Sequence, residues 1–482
     1  MHTYERLSGA SGRRIFYRAE RFKARDLFPQ AAARVEIDNT QLALEDLSMT
    51  GFSAIAPGSA LWAPRIGDEF SVRLLLDDMV LHEGRARVCR IGRQKCGVRV
   101  GLGLTSDYLD IAEVISKRNR LLLDLEIDCG LVADEGLIDP AYRKLTADVL
   151  HLLRNFRAIL ERHELRGNGS SRVSQSSTDE ALAICEERII PAWREHWEHA
   201  NALVTPVMSA PDRLRATKRF TELVLTPEFM DGPIWRRSYE KPLGYPGDYQ
   251  VMNYVYDWRR EGASATGRLL HRAGLEVAEC IGTRMRMLQQ MIADEIAARG
   301  ADTITHIASI GSGPAREVSN YLQADETSGK ASFTLIDQEH EALEQAYGEI
   351  YPQTTRHEGR ATVQCLNLSF VELAKKNRVF PGVGPQDFIY SVGLVDYLTD
   401  HRASGLVASL YDRLAPGGRL VIGNMRKTSL SNLWPMEFIC DWSVHYRDES
   451  AMWAMVDGLQ ADSLKLETDP TGRVYMLSLR KP

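Results

Sequence analysis

Two groups of residues near the N-terminus have the chemistry to bind a nucleotide. Six positive charges and one negative charge fall between residues 13 and 25, and the segment 46–51 (DLSMTG) follows. Guanidinium groups pair with phosphate oxygens, and a carboxylate accepts hydrogen bonds from the N–H groups of a base edge. The two groups together indicate a small anionic nucleotide bound close to the N-terminus.

A second set of residues, in the last third of the chain, has the spacing of a cofactor site. The apolar segment 304–310 runs into the loop 311–315 (GSGPA), and the next apolar segment ends at Asp337. Glycine lets the backbone approach a ligand closely, and an acid at a strand tip accepts two ribose hydroxyls. Nicotinamide dinucleotides and S-adenosylmethionine (SAM) both use this layout. The loop differs from G-x-G-x-x-G, shows little sign of a pyrophosphate cradle, and so favours SAM.

A later landmark supports the same interpretation. The segment 410–422 (LYDRLAPGGRLVI) predicts a helix end, a Pro-Gly-Gly turn and a strand. Class I SAM-dependent methyltransferases enter their fifth strand in this way, and the chain resembles that family over about residues 300–482. The resemblance implies that Gly311 and Gly313 contact the methionine part of SAM, that Asp337 holds the ribose and that Asn367 lies near the adenine. Further cofactor-binding candidates by this resemblance are Ser309, Ser312, Gln338, Leu368, Ser391 and Gly393.

The resemblance has one departure. The acid that often precedes the first glycine is replaced here by Ser309, so the anchoring of the methionine end stays open. Asp396 and Tyr397 follow the fourth strand, where ligands bind in such sheets, and they are candidates to line the site. A helix-capping aspartate and a packing tyrosine are the alternative. His445 follows the fifth strand as a candidate proton acceptor, and a structural histidine is the alternative there.

The middle of the chain contains an unusual segment, 239–249 (YEKPLGYPGDY). Two prolines, two glycines and three tyrosines predict a rigid loop that offers ring faces and hydroxyls, although a packed turn between helices remains open. The segment resembles the KPxGYxGD signature of bacterial methyltransferases assigned to synthesis of 3-hydroxypalmitic acid methyl ester. That resemblance implies that Tyr245, Gly247 and Asp248 help to close an active site. A fatty-acid carboxylate needs no base, whereas a hydroxyl or amine acceptor needs one such as His445, Asp396 or Asp248.

The N-terminal motifs resemble a PilZ domain, a β-barrel that binds cyclic di-GMP. The family pattern is RxxxR, a strand, and then (D/N)xSxxG, which residues 21–25 and 46–51 match in order. The resemblance implies that Arg21, Arg25, Asp46, Ser48 and Gly51 contact the nucleotide. A second RxxxR offers Arg14 and Arg18 as flanking residues, and which register binds is open. The alternative is a basic arm with no ligand.

These sites require three kinds of element. The chain of 482 residues is predicted to form a multidomain protein. Residues 1–108 should form a small, PilZ-like β-barrel with strands at 33–37, 42–46, 70–76 and 98–104. Residues 109–299 should be helical, with a loop over 167–177, a capping box at Ser177 and Glu180, and a helix over 267–298. Residues 300–482 should form an α/β doubly wound, Rossmann-like sheet. Its strands are predicted at 304–310, 333–336, 362–366, 388–392 and 420–422.

Composition limits the partners and the cellular location that we expect for this protein. The formal net charge of −6 argues against DNA or RNA as partners, and seven cysteines without ligand spacing predict reduced thiols and no metal site. Neither a signal peptide nor an apolar run of 18 residues occurs, so we expect a cytoplasmic protein without a membrane span.

The sequence therefore predicts a bacterial SAM-dependent methyltransferase that is regulated by cyclic di-GMP and acts on a small molecule or a fatty acid. The alternatives are a non-enzymatic cyclic di-GMP effector, a methyltransferase for a protein or small amine, and a nicotinamide oxidoreductase. Whether the chain forms a homodimer is left open.

Overall fold

The computed structural model describes all residues except 1–2, 7–14, 19–20, 29–32, 39, 58–61, 63, 77–78, 95–96, 106–107, 131–135, 168–170, 325–328, 358, 369–382 and 430. The chain divides into two compact units, Met1–Glu135 and Gly136–Pro482. The barrel lies in the first unit, and the helical region and the parallel sheet share the second.

The first unit is built around a closed barrel of six antiparallel strands. Its strands follow the order β5-β4-β7-β8-β9-β6, and β5 pairs with β6 to close the ring. Alternate residues point inward, so that Val35, Leu42, Phe52, Leu74 and Val100 form the buried interior. The elements of this unit are β1 (Thr3–Arg6), β2 (Ile15–Arg18), β3 (Phe22–Lys23), α1 (Ala24–Leu27), β4 (Ala33–Ile37), β5 (Thr40–Ser48), β6 (Gly51–Pro57), β7 (Glu69–Leu76), β8 (Met79–Gln94), β9 (Gly97–Leu104) and α2 (Ile111–Gly130). The predicted small β-barrel is confirmed.

Helices form the first part of the second unit. They are α3 (Pro140–Gly167), α4 (Ser171–Val204), α5 (Pro211–Val224), α6 (Thr226–Phe229), α7 (Pro233–Glu240), α8 (Tyr249–Asp257) and α9 (Ala265–Arg299). The long helix α9 is buried along most of its length, begins at the Ser264 N-cap and ends at Gly300 with φ 84°. Gly274 lets α7 approach α9, because a Cβ there would collide with the side chains of Ile234 and Trp235.

The second part of this unit is a seven-stranded sheet in the order β12-β11-β10-β13-β14-β16-β15. The first five of these strands are parallel, and β16 runs antiparallel to both of its neighbours. The strands are β10 (Ile304–Ile310), β11 (Lys330–Asp337), β12 (Ala361–Asn367), β13 (Gln386–Ser391), β14 (Leu414–Met425), β15 (Ser463–Thr468) and β16 (Val474–Arg480).

Helices cover both faces of this sheet, which confirms the predicted doubly wound arrangement. One face packs on α9, α10 (Arg316–Gln323) and α11 (His340–Arg356), and the other packs on α12 (Asp400–Tyr411) and α13 (Glu449–Ala454). A π-helical turn at Trp434–Ile439 follows β14, and all six of its residues are buried. The strand order reverses between β10 and β13, and open sheets of this kind bind ligands at that point.

Two local predictions are wrong. The serine-rich segment is not a loop where it is described, because α4 begins at Ser171 and places Ser177 inside the helix rather than at a cap. The buried residues Leu182, Ile189 and Trp193 anchor this long helix, and helix propagation is easy once a helix is nucleated. Residues 168–170 lie outside the described residues.

The second wrong prediction is the Pro-Gly-Gly turn. Strand β14 runs through it from Leu414 to Met425, with a register shift against β13. The N–H of Gly417 donates to the Lys481 carbonyl, and the N–H of Lys481 donates to the Gly418 carbonyl. These bonds continue the pairing with the last strand, so the segment forms an irregular strand.

Among the described residues, no helix combines the length and the hydropathy needed to cross a membrane. The same part of the chain contains no group of three or more His, Cys, Asp or Glu side chains arranged to hold a metal ion.

Candidate functional site

A cavity of about 320 Å³ opens at the carboxyl ends of β10, β11 and β13. Its wall combines the loop after β10, helix α9, the segment 245–256 and the residues that follow β13 and β14. The cavity therefore lies where the strand order reverses. Of the cofactor-binding residues predicted from the sequence, those in its wall are Ser309, Gly311, Ser312, Gly313, Asp337, Gln338, Leu368 and Gly393.

The loop after β10 is fixed by its own backbone. Gly311 and Gly313 have φ of 67° and 51°, and Ala315 caps α10 in the left-handed region at 46°. The N–H groups of Gly311 and Ser312 both donate to the Ile336 carbonyl, at 2.8 and 3.1 Å. The N–H of Gly313 donates to Asp337 Oδ2 at 2.8 Å. All three N–H groups of Gly-Ser-Gly are therefore engaged inside the protein.

Asp337 stands at the end of β11 with both carboxylate oxygens oriented by backbone donors. Oδ2 accepts from Gly313 and Oδ1 accepts from the Glu339 N–H at 2.9 Å. Burial raises the pKa of Asp337, and these N–H donors oppose that shift. Because each carboxylate oxygen has further lone pairs, the group can still accept hydrogen bonds from a ligand in the cavity.

Two more acids and one guanidinium group line the cavity, and all three side chains are buried. Burial raises the pKa of Asp396 to about 6, while Arg284 and the Met425 N–H, which donates to Oδ1 at 2.6 Å, lower it. Burial likewise raises the pKa of Glu317, whose Oε1 accepts from the Tyr390 hydroxyl at 2.8 Å. Arg284 of α9 lies in the same wall and is 6% exposed. The charges facing the cavity are therefore mainly negative.

The segment 241–248 covers one side of the cavity and is fastened to the residues after the π-helical turn. Lys241 Nζ donates to the Asp441 carbonyl and carboxylate at 2.7 and 2.9 Å. Gly247, with φ 71°, lies against the ring of Trp442, where a Cβ would collide with it. The indole N–H of Trp442 donates to the Tyr397 hydroxyl at 2.9 Å, which in turn donates to the Pro246 carbonyl. Tyr245 and Tyr397 both line the cavity.

Four predicted residues lie elsewhere. Asp248 is buried outside the cavity wall, where it caps α8 and pairs with Arg237 Nε at 2.8 Å. His445 is exposed and outside the wall, although its N–H donates to the Asp396 carbonyl at 2.7 Å. Ser391 donates to the Ile310 carbonyl, and Asn367 donates to the carbonyls of Asp337 and Gln338. Both therefore support the strand ends from outside the wall.

In the barrel unit, residues from the two N-terminal motifs meet. Arg21 Nη1 donates to Asp46 Oδ1 at 2.9 Å, and Arg99 Nη2 donates to the other oxygen at 3.0 Å. The Ser48 hydroxyl is buried and donates to the Gly51 carbonyl at 3.1 Å.

The other barrel candidates are placed as follows. A Cβ at Gly51 would collide with the Leu102 carbonyl, so the chain approaches β9 closely there. Arg25 lies on α1, is 78% exposed and pairs with Asp26. Arg14 lies outside the described residues, and Arg18 is described only as the last residue of β2.

Sequence reasoning missed Arg284, Glu317, Trp442 and Arg99. Arg284 carries a weak signal, because it and Glu279 are the two charged residues in the segment 277–285, whose other residues are apolar or small. Arg99 alternates with apolar residues in a strand, as surface charges commonly do, so its position beside Asp46 comes only from the barrel register.

Comparisons with known proteins give structural likenesses alone. No family model and no curated protein matches the chain. A "possible exported protein" from Bordetella parapertussis is 17% identical over 71% of this chain and 99% of that chain, with a TM-score of 0.39. The N-methyltransferase NodS from Bradyrhizobium japonicum, in complex with S-adenosyl-L-homocysteine (SAH), is 15% identical over 41% of this chain and 87% of that chain, with a TM-score of 0.29. The magnesium protoporphyrin IX methyltransferase from Synechocystis, with bound SAH, is 12% identical over 42% of this chain and 86% of that chain, with a TM-score of 0.32. These TM-scores all lie below 0.5, and the function is therefore argued from the residues of the site.

Proposed function

We propose that the second unit is a SAM-dependent methyltransferase. The observation that carries this proposal is the placement of three carboxylates, Glu317, Asp337 and Asp396, in the wall of the cavity where the strand order reverses. Burial raises the pKa of each of them. A carboxylate that burial disfavours gains free energy when a cation approaches. SAM carries a sulfonium and an ammonium group, and so fits this cavity.

The glycine loop favours SAM over a dinucleotide. A pyrophosphate needs free backbone N–H groups at the loop and at the helix start. In this loop the N–H groups of Gly311, Ser312 and Gly313 already have carbonyl or carboxylate acceptors. Asp337 is still available to accept the ribose hydroxyls, and Leu368 offers an apolar contact to the base.

The first candidate acceptor is an apolar acid, such as a 3-hydroxy fatty acid, and the apolar part of the cavity wall is the observation that favours its chain. Ile281, Met285, Leu288 and Met436 form an apolar branch of the wall. A smaller apolar cavity of about 30 Å³ adjoins it and shares Ile281, Met436 and Trp442. When bound, SAM supplies a methyl group that an acceptor oxygen attacks in line as the C–S bond breaks. An ionised carboxylate needs only positioning and the exclusion of water.

A hydroxyl or amine acceptor is the second candidate, and Asp396 is the observation that favours it. Its carboxylate lies in the wall with a pKa of about 6, so it is ionised at neutral pH and close to the range in which a general base is efficient. Asp248 has no such access, because Arg237 and the start of α8 engage its carboxylate.

The segment 241–248 closes the cavity over the bound ligands. Its contacts with Asp441, Trp442 and Tyr397 hold Tyr245 in the wall. In this position the segment excludes water from the reacting groups, which strengthens the electrostatic interactions inside.

The barrel unit is proposed to bind cyclic di-GMP and to regulate methyl transfer. The contact between Arg21 and Asp46 supports the binding site, because it brings a phosphate-binding group beside a base-binding carboxylate from motifs that are distant in sequence. Arg99 adds a second guanidinium group to the same carboxylate. The regulatory part of the proposal rests on the presence of both units in one chain.

Donor binding is tested first with Asp337→Asn. Losing a charged acceptor for the ribose should weaken SAH binding about ten- to hundredfold, as removal of a hydrogen bond to a charged group does. Calorimetry on the full chain measures this. Asp302→Asn, at a fully exposed acid, should bind SAH like the wild type. Equal affinity of both variants would contradict the assignment of Asp337.

Closure of the cavity is tested with a pair of glycine substitutions. Gly244 and Gly247 both have positive φ, but only Gly247 contacts another side chain, the ring of Trp442. Gly247→Ala should therefore speed hydrogen exchange over 239–249 and lower methyl transfer at least tenfold. Gly244→Ala bears a similar backbone strain and should change transfer less than threefold. The idea of closure fails if the two variants behave alike.

The class of acceptor is tested with Asp396→Asn and 3-hydroxypalmitate, and mass spectrometry distinguishes methyl transfer to its carboxylate from methyl transfer to its hydroxyl. An ionised carboxylate needs no base, so kcat/KM of the wild type should be nearly flat between about pH 5.5 and 8.5, a range that spans the pKa of Asp396, and the variant should stay within about fivefold. If Asp396 were a base, kcat/KM would rise with pH as Asp396 ionises near pH 6, and the variant would lose about 10²-fold or more. The second outcome would select a hydroxyl or amine acceptor.

Cyclic di-GMP binding is tested with Arg21→Ala and Asp46→Ala. Each should weaken binding at least tenfold, because each removes a charged contact to the nucleotide. Arg73→Ala, at an exposed barrel arginine paired with Glu36 and Glu83, is the matched control. Methyl transfer measured with and without saturating cyclic di-GMP then tests the coupling. An unchanged rate would remove the regulatory proposal and leave both binding sites standing.

A further inference from the structure

Two oppositely charged side chains line the cavity without pairing with each other. Arg284 is 6% exposed, and within the described part of the chain its Nε and Nη1 atoms have no hydrogen-bond partner. Glu317 is 5% exposed and accepts a hydrogen bond from Tyr390. Burying an unpaired guanidinium group is costly, and folded proteins retain such groups where a ligand completes the site. An anion bound in the cavity would therefore stabilise this guanidinium group.

The position of Arg284 is set by the end of β13. Gly393 has no side chain, and a Cβ there would lie 3.2 Å from Arg284 Nη2. The guanidinium group thus reaches the cavity across the residues that follow Ser391. Ser312 lines the same cavity, and its buried Oγ also has no partner among the described residues. The wall therefore contains a cation and a hydroxyl whose hydrogen bonds the described residues do not satisfy.

Glu317 supplies a carboxylate near Ser309, the residue before the glycine loop, where related sites often have an acid. Tyr390 lies directly beside Ser309 in the parallel pairing of β13 with β10. Its hydroxyl donates to Glu317, which lies in the first turn of α10. A carboxylate is thus present at the end of β10 although the strand itself does not supply one. It reaches the cavity from the helix instead.

We propose that Arg284 and Glu317 form a receptor for an α-amino acid group, with Arg284 binding the carboxylate and Glu317 the ammonium. This inference rests on the proposed function and assigns the anchor of the methionine half of SAM. Separate, opposite charges around a glycine loop match a zwitterion, which neutralises both of them at once. The carboxylate of the acceptor is the other anion that Arg284 could receive, and the experiment separates the two.

The test compares two ligands on the full chain by calorimetry: SAH, which carries the amino acid group, and 5′-methylthioadenosine, which lacks it. The wild type should bind SAH more tightly. Arg284→Met and Glu317→Gln should each weaken SAH binding at least tenfold, which is the usual scale for a lost charged hydrogen bond. Both variants should bind 5′-methylthioadenosine within threefold of the wild type, which also shows that they are folded. Arg286→Met, at an exposed arginine on the same helix, should change neither affinity.

Three results would count against the inference, and they are distinguishable. Wild-type affinity of Arg284→Met for SAH would overturn the receptor. Wild-type affinity for SAH combined with a tenfold higher KM for a fatty-acid acceptor would assign Arg284 to the acceptor carboxylate instead. If the wild type bound neither SAH nor 5′-methylthioadenosine, the proposed methyltransferase function itself would fail.

Discussion

The cost of holding carboxylates out of water governs the organisation of the second unit. A buried carboxylate must be paired, hydrogen-bonded or protonated. Glu276 is paired with Arg194 and Arg272, and Asp469 accepts from Thr283, Thr471 and backbone N–H groups. In both cases these partners outweigh burial and lower the pKa of the acid. Such acids are satisfied within the protein and stabilise it.

The acids around the cavity are handled differently. For Asp337, Glu317 and Asp396 burial outweighs the available donors and the pKa rises. Arg284 lies among them without a hydrogen-bonded partner for two of its nitrogens. A ligand of complementary charge can therefore gain binding free energy by pairing with these groups. Asp248 lies outside the cavity wall and is hydrogen-bonded to Arg237 and to the start of α8, whereas Asp396 lines the cavity.

The sequence predicts the features of this site that depend on neighbouring residues in the chain, but not those that depend on tertiary packing. The glycine loop, Asp337 and the parallel strands could be predicted because they follow one another within some 35 residues and obey the rules of strand, turn and helix. Arg284 and Glu317 could not, because their role depends on how α9 packs on the sheet and on which strand neighbours Ser309. Strands β6 and β8 were also missed, and β15 and β16 were too. The start of α4 was predicted to be a loop because it is rich in serine. The helix forms there because the residues that follow have a buried apolar face.

The π-helical turn at Trp434–Ile439 shapes the wall in a way that ordinary helix does not. The Cys440 N–H bonds to the Pro435 carbonyl five residues back, which accommodates one more residue than an α-helical turn. Met436 and Trp442, joined by a backbone hydrogen bond, project into the cavity from this widened turn. An α-helical turn would hold one residue fewer, which would change the spacing and the relative orientation of Met436 and Trp442. The apolar branch can therefore be remodelled in evolution by insertion or deletion, while the strand ends that hold the charged groups are left untouched.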